Sequence, residues 1–257
     1  MRAGGSGLIC CKARRAECLP VQVQEPVRKF YSISALYNPD SDLRLSAVAR
    51  WQLGAGPGSG QELSTGVAFG AIDLIKLHIG CGARYIPGFV HVDILDAPHI
   101  DHRCLAHDLR PFGSNSVSLI YASHVLEHFG RHEVDRVLRE WRRILLPGGV
   151  LRVAVPDFAA VVATYEQEGL QDGNSGLVGL VCGGQRNEFD FHKIIFDEPF
   201  LTALLTHTGF RNVRRWDWRK TEHAHIDDYS QSYLPHMDKE RGRLMSLNLE
   251  ATKPESA

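Results

Sequence analysis

The twenty residues from Leu74 to Asp93, LIKLHIGCGARYIPGFVHVD, join an apolar strand, a glycine turn, a second apolar strand and a terminal acid. A strand such as Leu74 to Ile79 that runs into Gly80-Cys81-Gly82 lets the backbone turn sharply. It also lets a ligand approach main-chain N–H groups with no Cβ in the way. Asp93, closing the second strand, is placed to accept hydrogen bonds from the two hydroxyls of a ribose. The stretch reads as a nucleotide-cofactor cradle, against the plainer alternative of an ordinary turn.

The glycines that are missing narrow the ligand. A dinucleotide fingerprint wants a third glycine, where the register from Gly80 has Tyr85. A phosphate-binding loop wants Gly-Lys-Ser/Thr, which is absent. The turn therefore suits a nucleoside better than a pyrophosphate. After Asp93 come His107-Asp108-Leu109 with Pro111-Phe112, and the apolar run Val117 to Ala122 entering Ser123-His124-Val125-Leu126-Glu127-His128. A helix, Leu146-Pro147-Gly148-Gly149 and the strand Val150 to Val155 complete the series.

This series resembles the class I S-adenosylmethionine-dependent methyltransferases, in particular the small-molecule type with GCG, DL-PF, LEH and LPGG motifs. By motif the resemblance covers about residues 72 to 160, and it extends plausibly to 253. It implies S-adenosyl-L-methionine as cofactor. The GCG loop (Gly80, Cys81, Gly82) would lie under the methionine and ribose part, Asp93 on the ribose hydroxyls, and Asp108 with Leu109 on the adenine. Standing alone, Asp93 or Asp108 would read as a turn or cap residue. One departure stands out: only Ala83 to Gly88 separate the glycine turn from the second strand, so the usual crossover helix is absent or cut to a turn. The helix N-terminus that helps hold the cofactor's carboxylate is then weakened, leaving Arg84 or Tyr85 to take over.

Two domains' worth of behaviour is visible along the 257 residues. Residues 1–70 read as an extension, either disordered or an organellar targeting segment, with Arg2, Lys12, Arg14 and Arg15 ahead of the first acid, and some helix is expected near Asp42 to Gln52. Residues 71–257 read as the methyltransferase domain. Beyond position 72, the order of elements argues an α/β doubly wound, Rossmann-like sheet. Apolar residues Val134, Val137, Leu138, Trp141, Ile144 and Leu145 predict a helix over Arg131 to Leu146 with one solvated face. Asp197 is the expected N-cap of a helix through Thr208. Asn212 to Trp218 and Met245 to Lys253 read as the last strands, which the resemblance pairs antiparallel to complete seven mostly parallel strands.

Ligands of open α/β sheets bind beyond the carboxyl ends of the strands. His124 and Asp157 sit at such ends, and His192 lies in a segment placed to cover a substrate, so these three are the catalytic candidates. A general base is needed only for some acceptors. The stretch with His223, His225, Asp227, Asp228 and Tyr229 reads as a solvated hairpin loop, or else as an acceptor wall. With a net charge of −1, nucleic acid is disfavoured as acceptor, and a small metabolite, sugar or lipid-linked molecule is preferred. Six cysteines without CxxC pairs suggest free thiols in a cytoplasmic or organellar compartment. No apolar run approaches the roughly 18 residues of a membrane helix.

Two rivals remain. His124-Val125-Leu126-Glu127-His128 spells HxxEH, a zinc-protease pattern, but that needs a continuous helix where the chain reads as a strand end, so no metal is expected. A noncatalytic module that keeps the fold and the cofactor is the other.

Overall fold

The computed structural model describes residues 74–170 and 176–255. The expected extension over residues 1–70 and the helix near Asp42 to Gln52 lie outside them.

In chain order the strands are β1 (Ile75–Ile79), β2 (Val90–Asp93), β3 (His102–Arg103), β4 (Val117–Ser123), β5 (Leu145–Pro156), β6 (Arg211–Arg215), β7 (Tyr233–Leu234), β8 (Arg243–Leu244) and β9 (Ser246–Thr252). Helices α1 (Val134–Ile144), α2 (Phe158–Glu168), α3 (Leu177–Cys182) and α4 (Glu198–His207) lie between them. Seven strands form one sheet in the order β3-β2-β1-β4-β5-β9-β6, while β7 and β8 make a separate ribbon. All pairs from β3 to β5 are parallel, and β9 runs antiparallel to both β5 and β6. The doubly wound, mostly parallel sheet with an antiparallel final strand is as the sequence predicts.

Local physics explains the elements. The predicted apolar stripe of α1 is buried, with Val137, Leu138, Trp141 and Ile144 inaccessible to solvent. Asp197 caps α4 by accepting from Phe200 N–H at 2.8 Å, as its sequence position suggests. The Pro147-Gly148-Gly149 turn is more than a helix stop. It lies inside a strand that begins at Leu145, with a register shift against β4, and Gly148 N–H bonds to the Lys253 carbonyl at 2.8 Å. Only Ser246–Thr252 and Arg211–Arg215 are strand where Met245 to Lys253 and Asn212 to Trp218 were expected.

The sheet's two faces are covered differently. Alternation along β1 sends Leu77 and Ile79 into a core with Ile120, Val137, Trp141 and Leu205, to which α1 and α4 contribute. Each such side chain contributes roughly 1.5–3 kcal/mol on burial. The opposite face carries His78, Tyr121 and Ala154. No helix follows β1 or β2, so this face is closed by the long connection from β6 to β9, through Trp216, Trp218 and Tyr233. His223, Asp228, Ser230 and Gln231 are buried there. This corrects the expectation of a solvated hairpin loop: a sheet face stripped of its crossover helix must be covered, and this segment covers it.

Candidate active site

The carboxyl ends of β1, β2, β4 and β5 carry the Gly80 turn, Asp93, His124 and Asp157 respectively. Gly80 and Gly82 adopt φ of +65° and +54°, in the left-handed region that glycine enters without strain. A Cβ on Gly80 would lie 2.3 Å from Val125 Cγ2, whereas nothing lies within 4 Å of the corresponding point on Gly82. Gly80 thus lets the segment after β4 pack onto the turn, and Gly82 leaves open space above the backbone. Asp93 closes the turn: its Oδ2 accepts from Gly82 N–H at 2.8 Å and its Oδ1 from Leu95 N–H at 3.0 Å. His99 Nε2 donates to the Gly82 carbonyl at 2.8 Å, fixing the loop from the other side. Burial pushes the Cys81 thiol up to about 12, so it stays protonated and presents only its backbone to a ligand.

No helix follows this turn, and the expected loss of a helix N-terminus is real. Arg84 Nε donates to the Asp227 carbonyl at 3.0 Å and its guanidinium lies 5.7 Å from the centre of the Tyr229 ring. Tyr85 is exposed and stacks on His91, with ring centres 4.9 Å apart.

Asp108 and Leu109, the expected adenine contacts, both have partners within the protein. Asp108 holds Arg110 in two 2.7 Å hydrogen bonds, which keep its carboxyl below the usual carboxylate range. Leu109 buries its side chain and donates its N–H to Glu140 Oε1 at 3.0 Å. The Leu109 N–H therefore has its partner inside the protein. The sequence placed both residues at a strand end, but β3 stops at Arg103. An exposed leucine, Leu95 after β2 and Leu105 after β3, stands just beyond each of these strand ends instead.

His124, Asp157 and His192 do not converge as a set. Asp157 is the N-cap of α2: its Oδ1 accepts from Ala159 N–H at 3.0 Å and Ala160 N–H at 3.4 Å. His124 and His192 both reach Glu127. His124 has left-handed backbone at φ +54°; its Nδ1 lies 3.2 Å from Glu127 Oε1 and its Nε2 3.1 Å from Ser246 Oγ. His192 Nε2 lies 3.9 Å from the same carboxylate oxygen. Gly183, at φ +79°, lets the chain after α3 fold back, so that His192 N–H bonds to the Cys182 carbonyl at 3.1 Å. Lys193 N–H bonds to the Glu127 carbonyl at 2.8 Å, stitching the covering segment to the end of β4.

Glu127 is what the sequence missed as a centre. It sits in a single 3-10 turn, Leu126–His128, and only 1 % of it is exposed. Burial works to raise its pKa, but His124, then His128 and His192, outweigh this and hold it below the ordinary value. No periodicity flags a buried acid. The only available signal was its company in the LEH motif.

Residues 87–153 match the family model described as a methyltransferase domain. The matched segment, which runs from just before β2 into β5, thus carries the pattern of a methyltransferase domain on a doubly wound sheet. The open backbone over Gly82 beside Asp93 fits S-adenosylmethionine, a nucleoside cofactor that needs main-chain contact without a pyrophosphate site.

Among solved structures, this chain is similar to a SAM-dependent methyltransferase from Archaeoglobus fulgidus, at 15% identity and TM-score 0.44 over 70% of this chain and 86% of that one. It is also similar to a putative S-adenosylmethionine-dependent methyltransferase from Listeria monocytogenes, at 16% identity and TM-score 0.44 over 71% and 91%. The carbon methyltransferase CurJ matches at 15% identity and TM-score 0.44 over 70% of this chain, which spans 48% of that chain. No curated protein matches the chain. Among the described residues, no helix is long and apolar enough to cross a membrane.

Proposed function

We propose that this protein transfers the methyl group of S-adenosylmethionine to a small-molecule, sugar or lipid-linked acceptor. The observation that carries the reading is the glycine turn tied to Asp93 at the carboxyl edge of the sheet, directly against the segment after β4. In this reading, Gly80, Cys81 and Gly82 offer backbone to the cofactor, Asp93 takes the ribose hydroxyls, and the exposed Leu95 and Leu105 give apolar surface to the adenine in place of Asp108 and Leu109. The cofactor supplies a sulfonium-bound methyl. Transfer then needs an acceptor aimed in line and water kept out. His124 is the candidate base, His192 covers the acceptor, and Asp157 serves by fixing the start of α2.

A cleft of about 310 Å³ between α2 and α3 supports an acceptor with an apolar body. Phe158, Val161, Tyr165, Leu177 and Val181 are among its walls. The net charge of −1 disfavours nucleic acid. Residues 71–257 suffice for this activity in the proposal, with 1–70 as an extension or targeting segment and the cytoplasm or an organelle as the place of action.

Titration with S-adenosylhomocysteine, followed by labelled methyl transfer to a panel of metabolites, sugars and lipid-linked compounds, tests the reading. Asp93→Ala is expected to weaken cofactor binding at least about tenfold, the loss of one charge-assisted hydrogen-bonding group. Undiminished affinity would remove the ribose assignment. Tight binding without turnover across the panel would favour a noncatalytic module.

A further inference from the structure

We propose that Glu127, His128 and His192 form a binding site for one divalent metal ion of the zinc type, with one coordination position left to water or an acceptor atom. One donor atom from each of the three side chains lies within 4.8 Å of the others. Zinc bonds of about 2.0–2.2 Å would set tetrahedral donors about 3.3 Å apart, so the side chains must close inward by on the order of 1 Å.

Three observations point the same way. The first is the carboxylate: Glu127 is almost wholly buried, and apart from His124 Nδ1 at 3.2 Å from Oε1, neither of its oxygens has a polar partner at hydrogen-bonding distance among the described residues. A buried carboxylate with an oxygen left unpaired is costly, and a cation is a partner that relieves it. The second is the orientation of the imidazoles. His128 Nδ1 donates to the Phe191 carbonyl at 3.1 Å, and His192 Nδ1 to the Leu180 carbonyl at 2.9 Å. Donating from Nδ1 fixes the tautomer and leaves the lone pair on Nε2, the arrangement in which histidines ligate metals. The third is their mutual placement, with ring centres 4.9 Å apart and planes at 77°, so the two rings converge without stacking.

A simple ion pair accounts for this less well. His192 Nε2 is 3.9 Å from Glu127, beyond hydrogen bonding, while its Nδ1 is already committed to the Leu180 carbonyl. Nor is this the zinc-protease pattern. That motif pairs its two histidines along one helix, whereas here only Leu126–His128 form a 3-10 turn and the third ligand comes from the covering segment. Two histidines and a carboxylate leave a tetrahedral position open. Its use by an acceptor oxygen or nitrogen rests on the methyl-transfer reading; the ion site itself does not.

The test is zinc and cobalt titration of the full chain, beside His128→Ala, His192→Ala and the double variant. Six cysteines can also take zinc, so the reading is the difference between the wild type and the double variant. One extra equivalent in the wild type is expected, with each single substitution weakening that equivalent at least about 100-fold. Cobalt in that equivalent should show visible bands of nitrogen and oxygen ligation without a thiolate charge-transfer band. Equal stoichiometry in the wild type and the double variant, or cobalt bound only through thiolate, would overturn the site. S-adenosylhomocysteine titration in parallel reports folding of the variants and separates the two proposals: zinc held in a chain that binds no cofactor overturns the functional reading and supports the site.

Discussion

The two faces of the sheet solve the same burial problem with different chemistry. Under α1 and α4 the interior is aliphatic with Trp141 and Phe210, and its helices arise from sequence periodicity. On the other face, His78, His91, His223 and Tyr121 pack with Phe89, Trp216 and Trp218 beneath irregular chain. Tyr121 bonds to the buried Asp228, which also accepts from Ser230 N–H and Oγ. The first face teaches what apolar periodicity can specify. The second shows the consequence of deleting crossover helices: a long connection must supply the cover, and its polar atoms need partners under that cover.

Truncating a tryptophan on each face is the largest way to break this contrast. Trp141→Ala, at a fully buried position whose Nε1 donates to the Ala106 carbonyl at 2.7 Å, should cost about 3–5 kcal/mol in urea unfolding. Trp216→Ala, at a position 9 % exposed with a longer 3.3 Å bond to the Val153 carbonyl, should cost less, about 2 kcal/mol. Equal losses would mean that the irregular cover is as tightly packed as the helical one.

Next is the junction between the aliphatic core and the cofactor turn. From sequence, a bulky residue at Gly80 should abolish cofactor binding and leave the fold intact. The 2.3 Å approach to Val125 and the φ of +65° contradict the second half of that expectation. Gly80→Ala should destabilise by about 2–4 kcal/mol. Thermal melting of Gly80→Ala alone and with Val125→Ala checks this: the second change should restore part of the stability if the contact is the cause.

The smallest expected effect sharpens the comparison through pH. Burial, then the neighbouring His91 and His223, drive the His78 pKa down to about 3. The folded state keeps His78 neutral where the unfolded chain takes up a proton at the ordinary value near 6.5. Its contribution is therefore intact above pH 6.5 and lost as pH falls toward 3. At about 1.4 kcal/mol for each pH unit, roughly 2 kcal/mol should be gone by pH 5. Urea unfolding between pH 7 and 5 should show that slope flattened in His78→Leu, with no comparable change for Trp141→Ala.

Much of the fold was legible because its signals are local. The strand Ile75–Ile79, the glycine turn, the amphipathic α1 and the Asp197 cap each depend on residues within a few positions of one another, so spacing alone reveals them. Gly82 and Asp93 were likewise singled out by a motif that spans one strand, and their hydrogen bond joins them in the structure. That the Leu109 N–H is taken up by Glu140 was not legible, because Glu140 lies on a helix that the motif does not include. Asp157 looked the same from sequence whether it served a substrate or a helix, and only its bonds to Ala159 and Ala160 show the cap.

The sequence by itself determined the sheet, its hand of alternation and the glycine turn, since apolar periodicity and glycine conformational freedom are properties of neighbouring residues. Tertiary structure alone decided that the segment from Trp216 to Met245 is interior cover and that His192 meets Glu127 across 65 positions of chain. Those outcomes depend on which buried surfaces lack a partner once everything local has formed, and no spacing within a strand or helix encodes that.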